Sequence, residues 1–174
     1  MANPQESSQL RLVVSKLGDD ISTDAIYPGR FMATVLPTET PKLAFADDTE
    51  LNTKLNSGTV PAGSVIVAGR NFGCGSSREQ AASCIKGYEI TVIARNFARI
   101  FLQNSINVGL AMVICPTIEA EEGDEVELEG GRVHNRTSGK SFAIEALPQA
   151  RQAIIDAGGL IPYARRLLLE RPAR

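Results

Sequence analysis

The 174-residue chain is long enough to bury a core of its own, roughly two-thirds of the surface its unfolded form exposes, with no need of disulfide or metal staples. A hydrophobic share of 43% and a charged share of 22% exclude a disordered or fibrous chain. With 18 cationic and 20 anionic side chains the net charge is −2, which gives no basic surface for nucleic acid or an anionic membrane to recognise.

Residues 1–8 are polar and expected to fray, with neither the basic nor the apolar region of a signal peptide. Gln9 to Val14 alternates and predicts a strand, followed by a turn-rich stretch, Gly18-Asp19-Asp20-Ile21-Ser22-Thr23-Asp24. Pro28 to Met32 reads as a loop with apolar anchors. Residues 37–61 read as a variable excursion holding a short helix near Thr49–Lys54. Ser64 to Gly69 is a continuous apolar run, as expected of a strand covered on both faces. A glycine-rich turn through Gly73-Cys74-Gly75 then leads to a helix over Arg78–Lys86, stopped by Gly87. Glu89–Ala94 is a strand, Phe97 to Val108 carries helical spacing, and Leu110–Cys115 is a further strand. Gly123 to His134 predicts a hairpin, Gln149–Ala157 a helix closed by Gly158-Gly159, and Pro162 the opening of a last short helix. The pattern predicts a cytoplasmic α/β domain with no membrane span.

The chemistry-bearing piece is the turn from Gly73 to Glu79. A buried strand delivers the chain to the start of a helix, whose first amides lack intrahelical partners and favour an anion. Ser76 and Ser77 place two hydroxyls there, and Arg78 adds a fork that matches a carboxylate. That set suits a small, multiply carboxylated ligand. Ser76-Ser77-Arg78-Glu79 also fits the capping box, which would use Ser76 only to satisfy helix amides. The preceding Gly-Cys-Gly favours ligand approach, since a cap needs no backbone stripped of side chains.

Other templates fail. The turn lacks the lysine of a P-loop, dinucleotide glycine spacing, and the Gly-x-Ser-x-Gly elbow. His134, the one histidine, reads as a solvated loop residue rather than the base of a Ser-His-Asp triad. Zinc ligands at usable spacing are missing, and Asp20 to Asp24 is only a partial calcium loop. Cys74, Cys84 and Cys115 are too few and too scattered for a disulfide framework and fit a reducing compartment. The Asn135-Arg136-Thr137 sequon carries no meaning without export.

Four segments resemble the small swivel domain of the aconitase superfamily. They are Asp19 to Phe31, Val67 to Ala81, Ala94 to Leu110 and the closing Ala157-Gly158-Gly159-Leu160-Ile161, with residues 33–60 the least similar. The resemblance implies a swivelling β/β/α domain over residues 1–174. The stand-alone length points to the small subunits of isopropylmalate-type dehydratases. Such a subunit would dock on a large subunit carrying a [4Fe-4S] cluster on that partner's own cysteines. Cys74, Cys84 and Cys115 do not match cluster ligands and are taken as packing or loop residues, leaving no metal site in this chain. By the same resemblance Ser76 matches the base that moves a proton beside a carboxylate, Ser77 and Arg78 match carboxylate-binding groups, and Asp24 matches an aspartate near the serine. Where aconitases carry an arginine for a third carboxylate this chain has Leu36, and Phe31-Met32-Ala33-Thr34 departs from the homoaconitase pattern. A small dicarboxylate hydroxy acid with an apolar substituent is therefore expected. Arg30 faces either substrate or solvent, and Phe31 and Met32 either line an apolar pocket or anchor the loop. The implied activity is dehydration and rehydration of isopropylmalate through 2-isopropylmaleate in leucine biosynthesis. The alternatives are another substituted malate (2-methylmalate or 2,3-dimethylmalate), homoaconitate, or a non-catalytic binding module on the same fold.

Overall fold

The computed structural model describes residues 9–170, so the stretch 1–8 lies outside the described residues. Seven strands form one sheet: β1 (Arg11–Lys16), β2 (Val65–Ala68), β3 (Thr91–Ala94), β4 (Met112–Ile114), β5 (Glu125–Glu129), β6 (Arg132–Asn135) and β7 (Ser141–Ala143). Their spatial order is β4-β3-β2-β1-β5-β6-β7. Strands β1 to β4 run parallel, while β5 to β7 continue as an antiparallel meander. A register shift between Val13 and Ser15 marks the change, with Arg11 and Leu12 paired to β5 and Ser15 and Lys16 to β2. An irregularity of this kind bends a strand, and here it lets the sheet curl onto itself.

The helices are α1 (Thr23–Ile26), α2 (Thr49–Asn56), α3 (Glu79–Lys86), α4 (Arg99–Val108), α5 (Gln149–Asp156) and α6 (Leu160–Leu169). Alternating strand residues divide the core in two. Val14, Ile66, Ala68, Val92 and Met112 pack with helix residues such as Leu51, Ile85, Phe101 and Ile155. Val13, Val65, Val67, Ile93 and Val113 pack instead with Val126, Leu128, Val133 and Phe142 of the meander. The layers are thus β, β and α, as the resemblance implied. Covering both faces explains why β2 and β3 read as continuous apolar runs, and each is buried throughout. Fully burying Phe72, Phe101 or Ile66 is worth about 1.5–3 kcal/mol each.

Several sequence expectations need correcting. His134 is half-buried on β6, opposite Glu127 and Ser141, and not in a loop. Gly87 does close α3, but as a right-handed residue at φ −61 rather than a left-handed cap; its lack of a side chain admits Pro41, whose Cγ lies 2.2 Å from where a Cβ would stand. The last helix opens at Leu160 after Gly159 at φ +121, and Pro162 sits inside its first turn, where no amide partner is needed. The sequon asparagine is buried, with Asn135 Nδ2 donating to Asp124 Oδ2 at 2.7 Å. No helix among the described residues is long and apolar enough to cross a membrane.

Candidate active site

Two loops leave the ends of neighbouring parallel strands, β1 and β2, and zip together. Asp19 accepts the Arg70 amide at 2.7 Å and that residue's guanidinium at 3.0 and 3.2 Å. The Asp20 amide donates to Arg70 O at 2.8 Å, and Asp20 Oδ1 accepts Asn71 Nδ2 at 2.7 Å. Both residues hold left-handed backbone, at φ +57, where Asp and Asn are among the better tolerated side chains. Asn96 then takes the Asn71 amide at 2.6 Å. One step on, the Gly73 amide donates to Ile21 O and the Thr23 amide to Cys74 O, both at 2.7 Å. This lacing brings Asp24 against Arg78, 54 positions later in the chain.

The turn itself rests on an aromatic trio. Phe72 meets Phe101 edge-on at 5.3 Å and Phe97 at 6.0 Å, while Phe97 and Phe101 stack at 6.3 Å. Gly73 lies against this trio at φ +81, and a Cβ there would stand 2.1 Å from Phe101 Cγ. Its missing side chain therefore makes room for a buried phenylalanine rather than for a ligand. Gly75, at φ +95, is exposed, and a Cβ there would meet only Thr23 Oγ1 and Ser22 Cβ, at ordinary contact distances.

Helix α3 starts at Glu79, with Arg78 as its N-terminal flanking residue at φ −74, ψ 109 and no side-chain cap. The capping box is not formed. Ser76 lies outside the helix, exposed, and its Oγ sits 3.2 Å from Thr23 Oγ1. The extended conformation of Arg78 sends its guanidinium back across the site to α1. Its Nη1 donates to Asp24 Oδ1 and, at 3.1 Å, to Tyr27 O. The Gly29 amide also donates to Asp24 Oδ1, at 2.8 Å. A Cβ on Gly29 would come within 3.1 Å of Arg78 Nη2, so this position needs to be small. The hydrogen bond from Arg78, and then the one from Gly29, hold the Asp24 carboxyl below its ordinary value. Ser77 is exposed, and its carbonyl accepts Asn104 Nδ2 from α4 at 3.4 Å.

The structure thus gathers Asp24, Ser76, Ser77 and Arg78 beyond the C-terminal ends of β1 and β2, two inner strands of the sheet. Arg30 is engaged elsewhere: it forks onto Asp47 at 2.5 and 3.1 Å and lies 4.5 Å over the Phe31 ring. That bond to Asp47 raises the Arg30 pKa and is the first cause of the lowered one on Asp47. Phe31 packs edge-on against Tyr27 at 6.5 Å, and the single Tyr27 Oη proton is shared between Thr34 O at 3.0 Å and Phe31 O at 3.2 Å, tying down this loop. Further along the loop Met32, Val35 and Leu36 are 40%, 62% and 54% exposed, an apolar strip on the surface. A groove of about 980 Å³ along α3 is lined by Val35, Pro37 and Gln80 and touches the gathered residues only at Ser77. The chemistry is better located by the hydrogen-bonded cluster than by this groove, most of which runs away from it towards Lys86.

Sequence reasoning missed Thr23 and Asn104 as contributors to the site. Ser-Thr-Asp in a turn reads as polar filler, and no spacing rule joins residue 23 to residue 76.

The thiols do not fit an iron–sulfur cluster. Cys84 and Cys115 are buried in the two different core layers, and burial pushes both thiols up, Cys115 to about 11. Cys74 points its Sγ at Asp20 O, 3.4 Å away. Among the described residues no three His, Cys, Asp or Glu side chains converge as a metal site would require.

Residues 18–116, more than half of the chain, match the family model described as the aconitase C-terminal domain. A 3-isopropylmalate dehydratase small subunit of Methanosarcina mazei is 43% identical over 163 residues, covering 90% of this chain and 96% of that one. An isopropylmalate/citramalate isomerase small subunit of Methanocaldococcus jannaschii is 42% identical, covering 90% of this chain and 94% of that one. The 2,3-dimethylmalate dehydratase small subunit of Eubacterium barkeri is 44% identical, covering 86% and 93%. A crystal structure of 3-isopropylmalate dehydratase from Methanocaldococcus jannaschii matches with a TM-score of 0.81 at 40% identity, over 92% of this chain and 95% of that one.

Proposed function

The chain belongs to the aconitase C-terminal domain family, among the small subunits of isopropylmalate, citramalate and dimethylmalate hydro-lyases, and from that premise we propose that it interconverts 2- and 3-isopropylmalate through 2-isopropylmaleate. It does so as one swivel domain docked on a cluster-bearing large subunit, in the cytoplasm, as a step of leucine biosynthesis. The observation that carries the reading is the joining of Ser76 and Thr23, and of Arg78 and Asp24, across two loops more than 50 positions apart.

In this reading Ser76 takes the proton from the carbon beside a substrate carboxylate. The electron pair left behind forms the C=C bond as the hydroxyl leaves the neighbouring carbon. A cluster on the partner supplies Lewis-acid help to that departure when the two chains are together. Arg78 has Nη1 committed to Asp24 and Tyr27, and its Nε and Nη2 make no hydrogen bond among the described residues. Those two donors form the fork for the substrate carboxylate, joined by the Ser77 hydroxyl. Asp24 holds the fork in place. The pairing of Arg30 with Asp47 favours a role for it in fixing the loop. The apolar strip of Met32, Val35 and Leu36 favours an isopropyl or methyl substituent over a third carboxylate.

Ser76→Ala in the reconstituted pair is expected to abolish turnover while leaving association and fold intact; near-normal turnover would reduce Ser76 to a turn residue. A substrate panel tests the apolar strip, with isopropylmalate expected to exceed citrate and homocitrate. Preference for either tricarboxylate would refute it. Preference for 2-methylmalate or 2,3-dimethylmalate would retain the chemistry and move the substrate, an alternative favoured by the 44% identical dimethylmalate relative.

A further inference from the structure

Thr23 is 1% exposed at the start of α1, and its hydroxyl faces two oxygens of a single residue: Ser76 O at 3.1 Å and Ser76 Oγ at 3.2 Å. A threonine hydroxyl has one proton to donate and lone pairs to accept with, so it can donate to only one of these oxygens at a time. With Ser76 neutral, both contacts are satisfied by one arrangement. Thr23 donates to Ser76 O, and the Ser76 hydroxyl donates to Thr23 Oγ1. With Ser76 ionised the contact between hydroxyls survives only if Thr23 turns its proton onto Ser76 Oγ. That turn leaves the carbonyl partnered, because Ser76 O also accepts the Arg78 amide at 3.0 Å.

We propose that Thr23 is a positioning residue for the reaction, a hydroxyl switch that accepts from Ser76 when the serine is neutral and donates to it when it is the alkoxide base. The inference rests on the assignment of Ser76 as base. The geometry is suited to the role. The Thr23 amide is pinned to Cys74 O at 2.7 Å and its carbonyl accepts the Tyr27 amide at 2.9 Å, so the side chain pivots from a fixed backbone. Rotation about one bond redirects the proton without moving a heavy atom, which is the condition for a donor to act on developing charge at no reorganisation cost. Bond making is confined to the serine. It loses its proton to water on its exposed side and regains one from the substrate carbon, while Thr23 keeps its own throughout.

The test uses the full chain with its large subunit. It follows hydration of whichever of 2-isopropylmaleate, methylmaleate and dimethylmaleate the wild type consumes fastest. Thr23→Val removes the hydroxyl at nearly constant shape, and the Arg78 amide still satisfies Ser76 O. Its kcat is expected to fall on the order of 10²-fold, as for other preorganised donors, with KM within about twofold. Thr23→Ser restores most of the rate. Wild-type kcat in Thr23→Val, a loss carried by KM or by the melting temperature instead, or a serine variant no better than valine would each overturn the switch. Ser76→Ala run in parallel separates the two levels. If it is inactive while Thr23→Val is normal, only the switch falls; if it is fully active, or the wild type hydrates none of the three alkenes, the base assignment falls and the switch with it.

Discussion

Replacing Gly73 by alanine tests the account of how the site is built, because two separable costs meet there. The left-handed backbone at φ +81 costs a residue with a Cβ about 1–2 kcal/mol. The new Cβ would stand 2.1 Å from Phe101 Cγ and 2.4 Å from its Cβ, and Phe101 is 1% exposed between Phe72 and Phe97. The ring has no free side to move into, so overpacking adds about 1–3 kcal/mol. The total of about 2–5 kcal/mol corresponds, at roughly 2–4 °C per kcal/mol for a chain of this length, to a melting point lower by about 4–20 °C. Gly139→Ala is the control, since φ is +73 there and nothing lies within 4 Å of the added Cβ. Thermal unfolding followed by far-ultraviolet circular dichroism should place Gly73→Ala below Gly139→Ala, the gap measuring the clash with Phe101. Equal melting points would refute the claim that this glycine exists to seat the aromatic trio.

Four further predictions concern other parts of the molecule. Arg78→Lys keeps the charge and loses the fork, so KM should rise markedly in steady-state kinetics while the melting point changes little; an unchanged KM would remove Arg78 from the substrate site. Lys86 donates to Val108 O and, at 2.9 Å, to Gly158 O. Lys86→Met should cost about 1.5–3 kcal/mol in denaturant unfolding, and an unchanged midpoint would show these contacts contribute nothing. The depressed Asp24 pKa means its contribution is present above the ordinary aspartate value of about 3.9 and is lost only as pH falls through the lower, folded value. Carboxyl titration by NMR should find a midpoint below that value, moving up towards it in Arg78→Met; a wild-type midpoint at or above it would contradict the pairing. Cys84 and Cys115 are fully buried and their thiolates disfavoured, so brief iodoacetamide treatment of the native protein at neutral pH should modify Cys74 alone by mass spectrometry.

The sequence patterns that proved legible are those set by burial on a large scale. Val65 to Ala68 and Thr91 to Ala94 announce strands because both faces are covered. The short helix expected near Thr49–Lys54 is α2, which Asp48 caps by accepting the Leu51 amide at 3.0 Å. What escaped was small or held from a distance. The four residues of α1 have too little length for any period, and they owe their helix to the Ser22 cap and to the loop against Cys74. The three residues of β7 form only because β6 offers an edge. The serine turn was recognisable from its motif, yet its capping-box pattern pointed to a contact that does not form. Gly73 suggested ligand approach where a phenylalanine was the cause. The sequence leaves Arg30 between substrate and solvent because its partner Asp47 lies 17 positions away. Long-range pairing of this kind decides which polar side chains are spent on the fold and which remain available to a ligand.

The most direct test of the central claim is anaerobic mixing of this chain with its candidate cluster-bearing large subunit while following the ultraviolet absorbance of 2-isopropylmaleate. Loss of the alkene signal only when both chains are present is the predicted result. An unchanged signal for 2-isopropylmaleate, methylmaleate and dimethylmaleate alike, in a mixture where the two chains associate, would contradict it.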